Sequence, residues 1–366
     1  MTIYVWMVVL LVAAAFLFRG NRRNCKIFMI ISFLLLFSVM GLRNVYAFGS
    51  DAWGTHGSYS MSFDRIGATP WGNLAGKGQN NYNIGFIYLM KIFYELTNGN
   101  YQLFISIFSL FVVFSYVRFI KKYSVSPIQS VLYFLGLLFY PFLFDALKQA
   151  LAMAVLLFAF DAIIEKKPIK FLIIVALAAT FHFPALVFLP AYWIGRMKIG
   201  RNYLILLAAF LLITFVFRNQ LLNLMLNAYG DSDTEATMEG IRFLRNKALI
   251  MIAIVIFAVV IRPPTPEETV YNILLMFAGI SIVFQTFCGY NNIFERLADY
   301  YFHTSIVFIP LVFEQGREPS GRIALFVSDP AKKAAVLIAC AFAIWRFLSY
   351  VNDSGLFLPY LFFWQS

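Results

Sequence analysis

The residues with chemistry to offer in this chain are ionisable groups set into apolar stretches. Asp145, Lys148 and Gln149 open one long apolar run, at spacings of three and four that share a helix face. His182 closes the next run, directly before Phe183 and Pro184. Farther on, Arg296, Asp299, Tyr300 and His303 stand at i, i+3, i+4 and i+7, a polar stripe on an otherwise apolar helix. Such groups are costly beside lipid unless they meet a partner or a watery cavity, which makes them functional candidates. Arg43, Lys148, Arg242, Arg245 and Arg296 could together hold an anion, with Gln149 and Tyr300 as neutral members of the same set. Arginine forks match pairs of phosphate oxygens and lysine acts as a point charge. So many cations suit the diphosphate headgroup of an anionic lipid.

The elements that must position these residues are membrane helices. Of 366 residues 61% are hydrophobic and only 13% are charged, against about 25% charged in soluble chains. A soluble globular protein is excluded. Apolar runs of spanning length recur throughout, so residues 1–366 are expected to form one all-α, polytopic integral membrane domain of about 10–12 transmembrane helices. The formal net charge of +11 comes from basic residues clustered between spans, where membrane orientation accounts for them. No nucleic-acid partner is expected. The run from Ile3 to Phe18 has its basic residues (Arg19, Arg22, Arg23, Lys26) after it, the reverse of a cleavable signal peptide. It reads as an uncleaved first span with its N-terminus outside.

Basic linkers at 19–26, 118–122, 166–170, 196–201 and 317–333 mark the cytoplasmic side. Spans are then expected near 2–18, 27–42, 101–119, 128–145, 148–164, 203–217, 248–261, 269–287, 297–313 and 334–350. Keeping every basic linker inside makes 83–97 a re-entrant or interfacial helix and makes 169–195 start and finish inside. Residues 169–181 reach only about 20 Å as a helix, short of a ~30 Å hydrocarbon core. Pro184 and the residue before it oppose continuation. A broken hairpin carrying His182 into the outer half follows, with a single kinked span as the alternative.

Two long outer loops remain, 43–82 and 218–247. The first combines glycines with Trp53, Tyr59, Phe63, Trp71 and Tyr82 and with the amides of Asn73, Gln79, Asn80 and Asn81. Flat rings beside amides suit sugar faces and hydroxyls, and aromatic residues also anchor membrane interfaces. The histidines (56, 182, 303) form no zinc motif, the three cysteines no ligand spacing, and neither a P-loop nor a dinucleotide fingerprint occurs. No metal or cofactor is expected.

Five segments, LRNVYAFGSD (42–51), NYNIGFIYL (81–89), LKQALAMAV (147–155), ATFHFPALVFLP (179–190) and ERLADYYF (295–302), resemble in order the EpsG-type members of the Wzy-like polysaccharide polymerases. Lys148 departs from the pattern, which has arginine before the glutamine. The resemblance implies a fold like that of the multi-span lipid-carrier glycosyltransferases (GT-C-like). It also implies a polymerase of undecaprenyl-diphosphate-linked repeat units on the periplasmic face of the bacterial inner membrane. Donor and acceptor glycan lipids would be its partners, possible associates being a chain-length regulator and a flippase. Breaking the anomeric C–O bond builds negative charge on the departing diphosphate, which the cations would stabilise as it develops. A base must take the acceptor hydroxyl's proton, and His182 and Asp51 are the candidates. Direct attack inverts the anomeric centre. A flippase or transporter of the same glycan lipid and a membrane O-acyltransferase are the alternatives. The first would need polar residues reaching the inner half, where Asp161 and Glu165 are expected to be neutralised by Lys166 and Lys167.

Overall fold

Runs rich in Leu, Ala, Phe and Ile become helices here because a backbone away from water must satisfy its own polar groups. The computed structural model describes residues 1–18, 22–45, 59–74, 83–197, 199, 202–217, 220, 246–261, 269–285, 287–288, 293–314, 329–354 and 357–365. In chain order the helices are α1 (Thr2–Leu17), α2 (Arg22–Gly41), α3 (Tyr59–Ala68), α4 (Ile84–Leu96), α5 (Tyr101–Tyr123), α6 (Pro127–Gly136), α7 (Phe139–Phe142) and α8 (Leu147–Ile164). They continue as α9 (Pro168–Phe181), α10 (Ala191–Ile194), α11 (Tyr203–Val216), α12 (Asn246–Ile261), α13 (Thr269–Gln285), α14 (Ile293–Phe302), α15 (Ser305–Glu314) and α16 (Asp329–Asp353). Short 3-10 turns occupy Trp71–Asn73 and Phe183–Phe188. Among the described residues the only extended pairing is a single bridge between Arg43 and Phe362.

Arg23–Gly41, Tyr101–Tyr123, Leu147–Ile164 and Lys332–Asp353 are each long and apolar enough to cross a membrane, and six shorter apolar stretches accompany them. The protein is an all-helical polytopic membrane protein. By their contacts the residues divide into two compact units. The first comprises Met1–Ala162, Ile169–Leu186 and Lys333–Ser366, and the second Ile163–Pro168 and Val187–Lys332.

In the first unit α2 packs on α1 and α5, α6 on α5 and α2, and α4 on α3 and α5. α8 is the most enclosed of the four long helices, with 83% of its apolar window buried against 17% for α16. Its sequence explains that position: alanine and leucine favour helix, and the small Ala150, Ala152, Ala154 and Ala159, all fully buried, let neighbours approach closely. Lys166, at φ +59°, ends the helix in the left-handed region, and Pro168 opens α9 at its first position. Gly99 at φ +76° turns α4 into α5, where the Asn100 side chain caps the amide of Leu103 at 3.0 Å.

Side-chain contacts fix which helix ends meet in this unit. The Gly41 carbonyl accepts from Gln102 Nε2 (3.2 Å) and Ser106 Oγ (2.7 Å), so α2 ends where α5 begins. At the other end of α5, Asp161 of α8 is held by Arg118, Tyr123 and, at 3.0 Å, Lys122. These partners correct one expectation. Asp161 is neutralised by α5, while Lys167 pairs with Glu165 at 3.1 Å.

Two expected spans are broken. The stretch 128–145 divides into α6 and α7 at Leu138, whose φ of +67° no continuous helix allows. Arg346 Nη1 takes the Gly136 carbonyl at 2.5 Å and Tyr140 Oη donates to the Leu36 carbonyl at 2.7 Å, so α16 and α2 hold the bend. The stretch 297–313 divides into α14 and α15 at the His303–Thr304 turn. The break after α9 falls where Pro184 predicts it. Loop 43–82 contains an unexpected packed element: α3 buries Phe63 completely, with ring centroids 5.3 Å from Tyr94 and 5.0 Å from Phe104.

In the second unit α13 is the hub, packed by α10, α11, α12, α14 and α15. Gly279 lies against the Tyr203 hydroxyl, so a side chain there would displace the tyrosine from its bond to the Leu275 carbonyl.

Candidate functional site

Arg43 follows directly on the end of α2 and turns inward. It is 1% exposed. Its Nη1 donates to the Met40 carbonyl at 2.5 Å and its Nη2 to the Phe144 carbonyl at 3.1 Å, with the guanidinium 4.6 Å above the Phe144 ring. Burial pushes its pKa below the ordinary guanidinium value, while the nearby Tyr101, Tyr4, Asp145 and Tyr360 act in the opposite sense. A cation so enclosed persists because carbonyl oxygens replace its water and the charge of Asp145 acts on it from nearby. Arg43 therefore joins the end of α2 to the entry of α8, where Asp145 and Lys148 are half-buried and Gln149 is 2% exposed. Four of the sequence-derived candidates thus gather at one end of the first unit, opposite the Asp161 cluster.

A second constellation is built around His182. Its amide donates to the Ala178 carbonyl at 3.0 Å, the last rung of the α9 ladder, and its carbonyl accepts from Ala185 at 2.9 Å. The next amide, Phe183 N–H, is left over by the break and donates to Asn83 Oδ1 at 3.1 Å. Gly85 presses on Thr180, whose carbonyl would lie 2.9 Å from an added Cβ. Two of the resemblance segments, NYNIGF and TFHFP, are therefore in contact, and α4 fixes the half-buried His182 in place. Asn83 and Arg43 are tethered to opposite ends of α4, because the turn after its last residue leads into α5 beside Gly41.

The third constellation belongs to the second unit. Arg296 is exposed, whereas Asp299, Tyr300 and His303 are 4%, 0% and 1% exposed. The expected stripe therefore divides: its first member reaches outward and the rest lie inside the α13–α14–α15 packing. Tyr301, which sequence reasoning missed, is the anchor of this helix. Its hydroxyl donates to the Val187 carbonyl at 2.7 Å and its ring contacts Phe188 (5.1 Å), Phe277 (5.2 Å) and Phe284 (6.3 Å). The doubled tyrosine in ERLADYYF is the available signal, since both rings are buried.

Asp51, Arg242 and Arg245 lie outside the described residues. Among those described, no group of three metal-ligating side chains occurs, and Cys25, Cys288 and Cys340 form no disulfide.

Cationic and amide groups at helix ends of the first unit, a histidine at a helix break and many exposed apolar side chains fit a polytopic membrane protein. The chain belongs to the EpsG family, whose model matches residues 26–362. That membership makes it a polysaccharide-polymerase-like membrane protein, of a family associated with polysaccharide biosynthesis by glycosyltransferase-like chemistry. No curated protein and no solved structure matches it.

Proposed function

We propose that the chain joins undecaprenyl-diphosphate-linked repeat units, as a Wzy-type inverting glycosyltransferase of the cytoplasmic membrane whose active end faces the periplasm. The observation that carries this reading is the gathering of Arg43, Asp145, Lys148 and Gln149 at the end of the first unit opposite the basic last turns of α5, Arg118–Lys122. Basic segments favour the cytoplasm, which supports an outward position for this cationic end, on the side where a glycan lipid would be presented.

Lys148 and Gln149 are assigned to the donor diphosphate, with Arg43 holding their helix end in place behind them. Arg242, Arg245 and Arg296 carry over from the sequence as candidates for an anionic group, Arg296 being exposed, whereas Tyr300 lies fully buried in the packing of the second unit. As the anomeric C–O bond breaks, its electron pair goes to the diphosphate, and nearby cations stabilise that charge more in the transition state than in the bound lipid. The acceptor hydroxyl attacks the anomeric carbon from the opposite face. Its proton goes to His182, or to Asp51. A flippase would need polar groups continuing to the other end of the unit, and there Asp161 is already occupied by Arg118, Lys122 and Tyr123.

Purified protein mixed with a synthetic lipid-diphosphate repeat unit tests the proposal. A ladder of products formed without nucleotide sugar is the expected result. Lipid movement across a vesicle with no ladder would overturn it in favour of the flippase.

A further inference from the structure

A fixed aromatic surface lies on α4, away from the groups assigned to the reaction. Trp71, in the 3-10 turn after α3, is 46% exposed, and its ring stacks on Tyr88 at 6.1 Å and 23°. Its indole N–H donates to Glu95 Oε1 at 2.9 Å. The same oxygen takes Lys91 Nζ at 3.0 Å, and Lys91 also donates to the Gly67 carbonyl at 2.7 Å. Lys91 is only 6% exposed and lies 5.7 Å from the Trp71 ring centroid. A nearly buried lysine, a carboxylate and a carbonyl thus set the angle of a half-exposed ring.

Tyr88 and Lys91 are three apart on α4 and cover one side of the indole, so its exposure belongs to the other side. Beside it, a Cβ added to Gly72 would meet none of the described residues within 4 Å. The indole's single polar atom is already satisfied, so the open face offers only its π surface. Glu95 is 48% exposed, and among the described residues its bonds from Lys91 and Trp71 both fall on Oε1, so Oε2 can face a hydroxyl donor. A ligand matched to this pair has weakly positive C–H bonds on one face and a hydroxyl at its edge, which describes a pyranose ring. An interfacial anchor needs neither a locked ring angle nor a carboxylate held at its rim.

We propose that Trp71, Tyr88 and Glu95 form a subsite that stacks one sugar ring of the glycan, on the helix that joins the Asn83–His182 contact to the start of α5. This rests on the polymerase reading above and adds to it a place for the saccharide, distinct from the groups assigned to diphosphate and base.

Full-length protein in nanodiscs, titrated with the lipid-free repeat-unit oligosaccharide released by mild acid from the producing cell's own glycan lipid, tests the subsite by ligand-observed NMR. Trp71→Leu should weaken binding at least about tenfold, or ~1.4 kcal/mol, with a smaller loss in Trp71→Phe. Gly72→Leu, which fills the open space beside the ring, should weaken it comparably while reconstituting normally. An unchanged Kd in Trp71→Leu and Gly72→Leu, or no binding by the unaltered protein, overturns the subsite; in the first case Trp71 is an interfacial anchor. If Trp71→Leu does not reconstitute, Gly72→Leu alone decides. Binding is read without turnover, so the two readings fail separately. Saccharide binding that depends on Trp71 in a protein that makes no ladder sinks the polymerase alone. A ladder with unaltered Kd in the variants sinks the subsite alone.

Discussion

Arg43 gives two guanidinium donors to the carbonyls of Met40 and Phe144, so replacing it orphans both oxygens in a buried place. Each lost partner is worth about 1–3 kcal/mol. Arg43→Met should therefore lower the thermal unfolding midpoint of the detergent-solubilised protein, and Arg43→Lys should lower it less; no shift for Arg43→Met would remove its structural role. His182 calls for a different experiment. His182→Ala should leave a folded protein and reduce chain elongation by about 10²–10⁴, the usual worth of one acid–base group. His182→Gln separates the causes, since glutamine keeps a hydrogen bond but takes no proton at neutral pH. A near-normal rate in that variant would reassign the histidine to positioning. Arg296 is exposed and can be removed without opening the interior. Loss of elongation in Arg296→Lys at normal expression is expected from trading a fork for a point charge, and full activity in Arg296→Ala would strike it from the site.

The elements show what a sequence can and cannot disclose. The break after His182 is legible because Pro184 forbids continuation and biases its neighbour out of the helix. The bend at Leu138 is not: a leucine at φ +67° has no local cause, and its partners Leu36 and Arg346 come from remote helices. The helix α3 is hidden for a similar reason. Its core residue Phe63 is explained only by Tyr94, Tyr101 and Phe104, which lie beyond it in the chain. Asn83 is visible as a motif residue, yet its bond to the Phe183 amide depends on how α4 meets α9. That meeting turns on Gly85. Gly85→Val should drive α4 off Thr180, free the Phe183 amide and abolish elongation, while insertion into the membrane persists. Restoration of activity by Thr180→Gly in the same chain would trace the defect to this contact; wild-type activity in Gly85→Val alone would refute it.

At the scale of the molecule, the charge pattern suggests an orientation, and the helix-end contacts separate two ends of the first unit. That unit is closed by a segment the sequence reading leaves unassigned. The Asn44 amide donates to the Leu361 carbonyl at 2.8 Å, the Phe363 amide to Leu42 at 3.0 Å and Asn44 Nδ2 to Gln365 at 3.0 Å. Removing residues 354–366 should yield a protein that inserts but elongates poorly and unfolds earlier, as measured by product ladder and thermal shift; unchanged values in both would show the clasp to be idle. Its partners Asn44 and Gln365 are 321 residues apart, which has a consequence for biogenesis. Helices α2, α5 and α8 can be inserted in the order they are made, but the surroundings of Arg43 are completed only when residues 360–365 have left the ribosome. Until then a buried-to-be guanidinium sits at an unfinished helix end. A chain cut short by frameshift or proteolysis would be inserted without that closure, and a quality-control protease could recognise it by the exposed end.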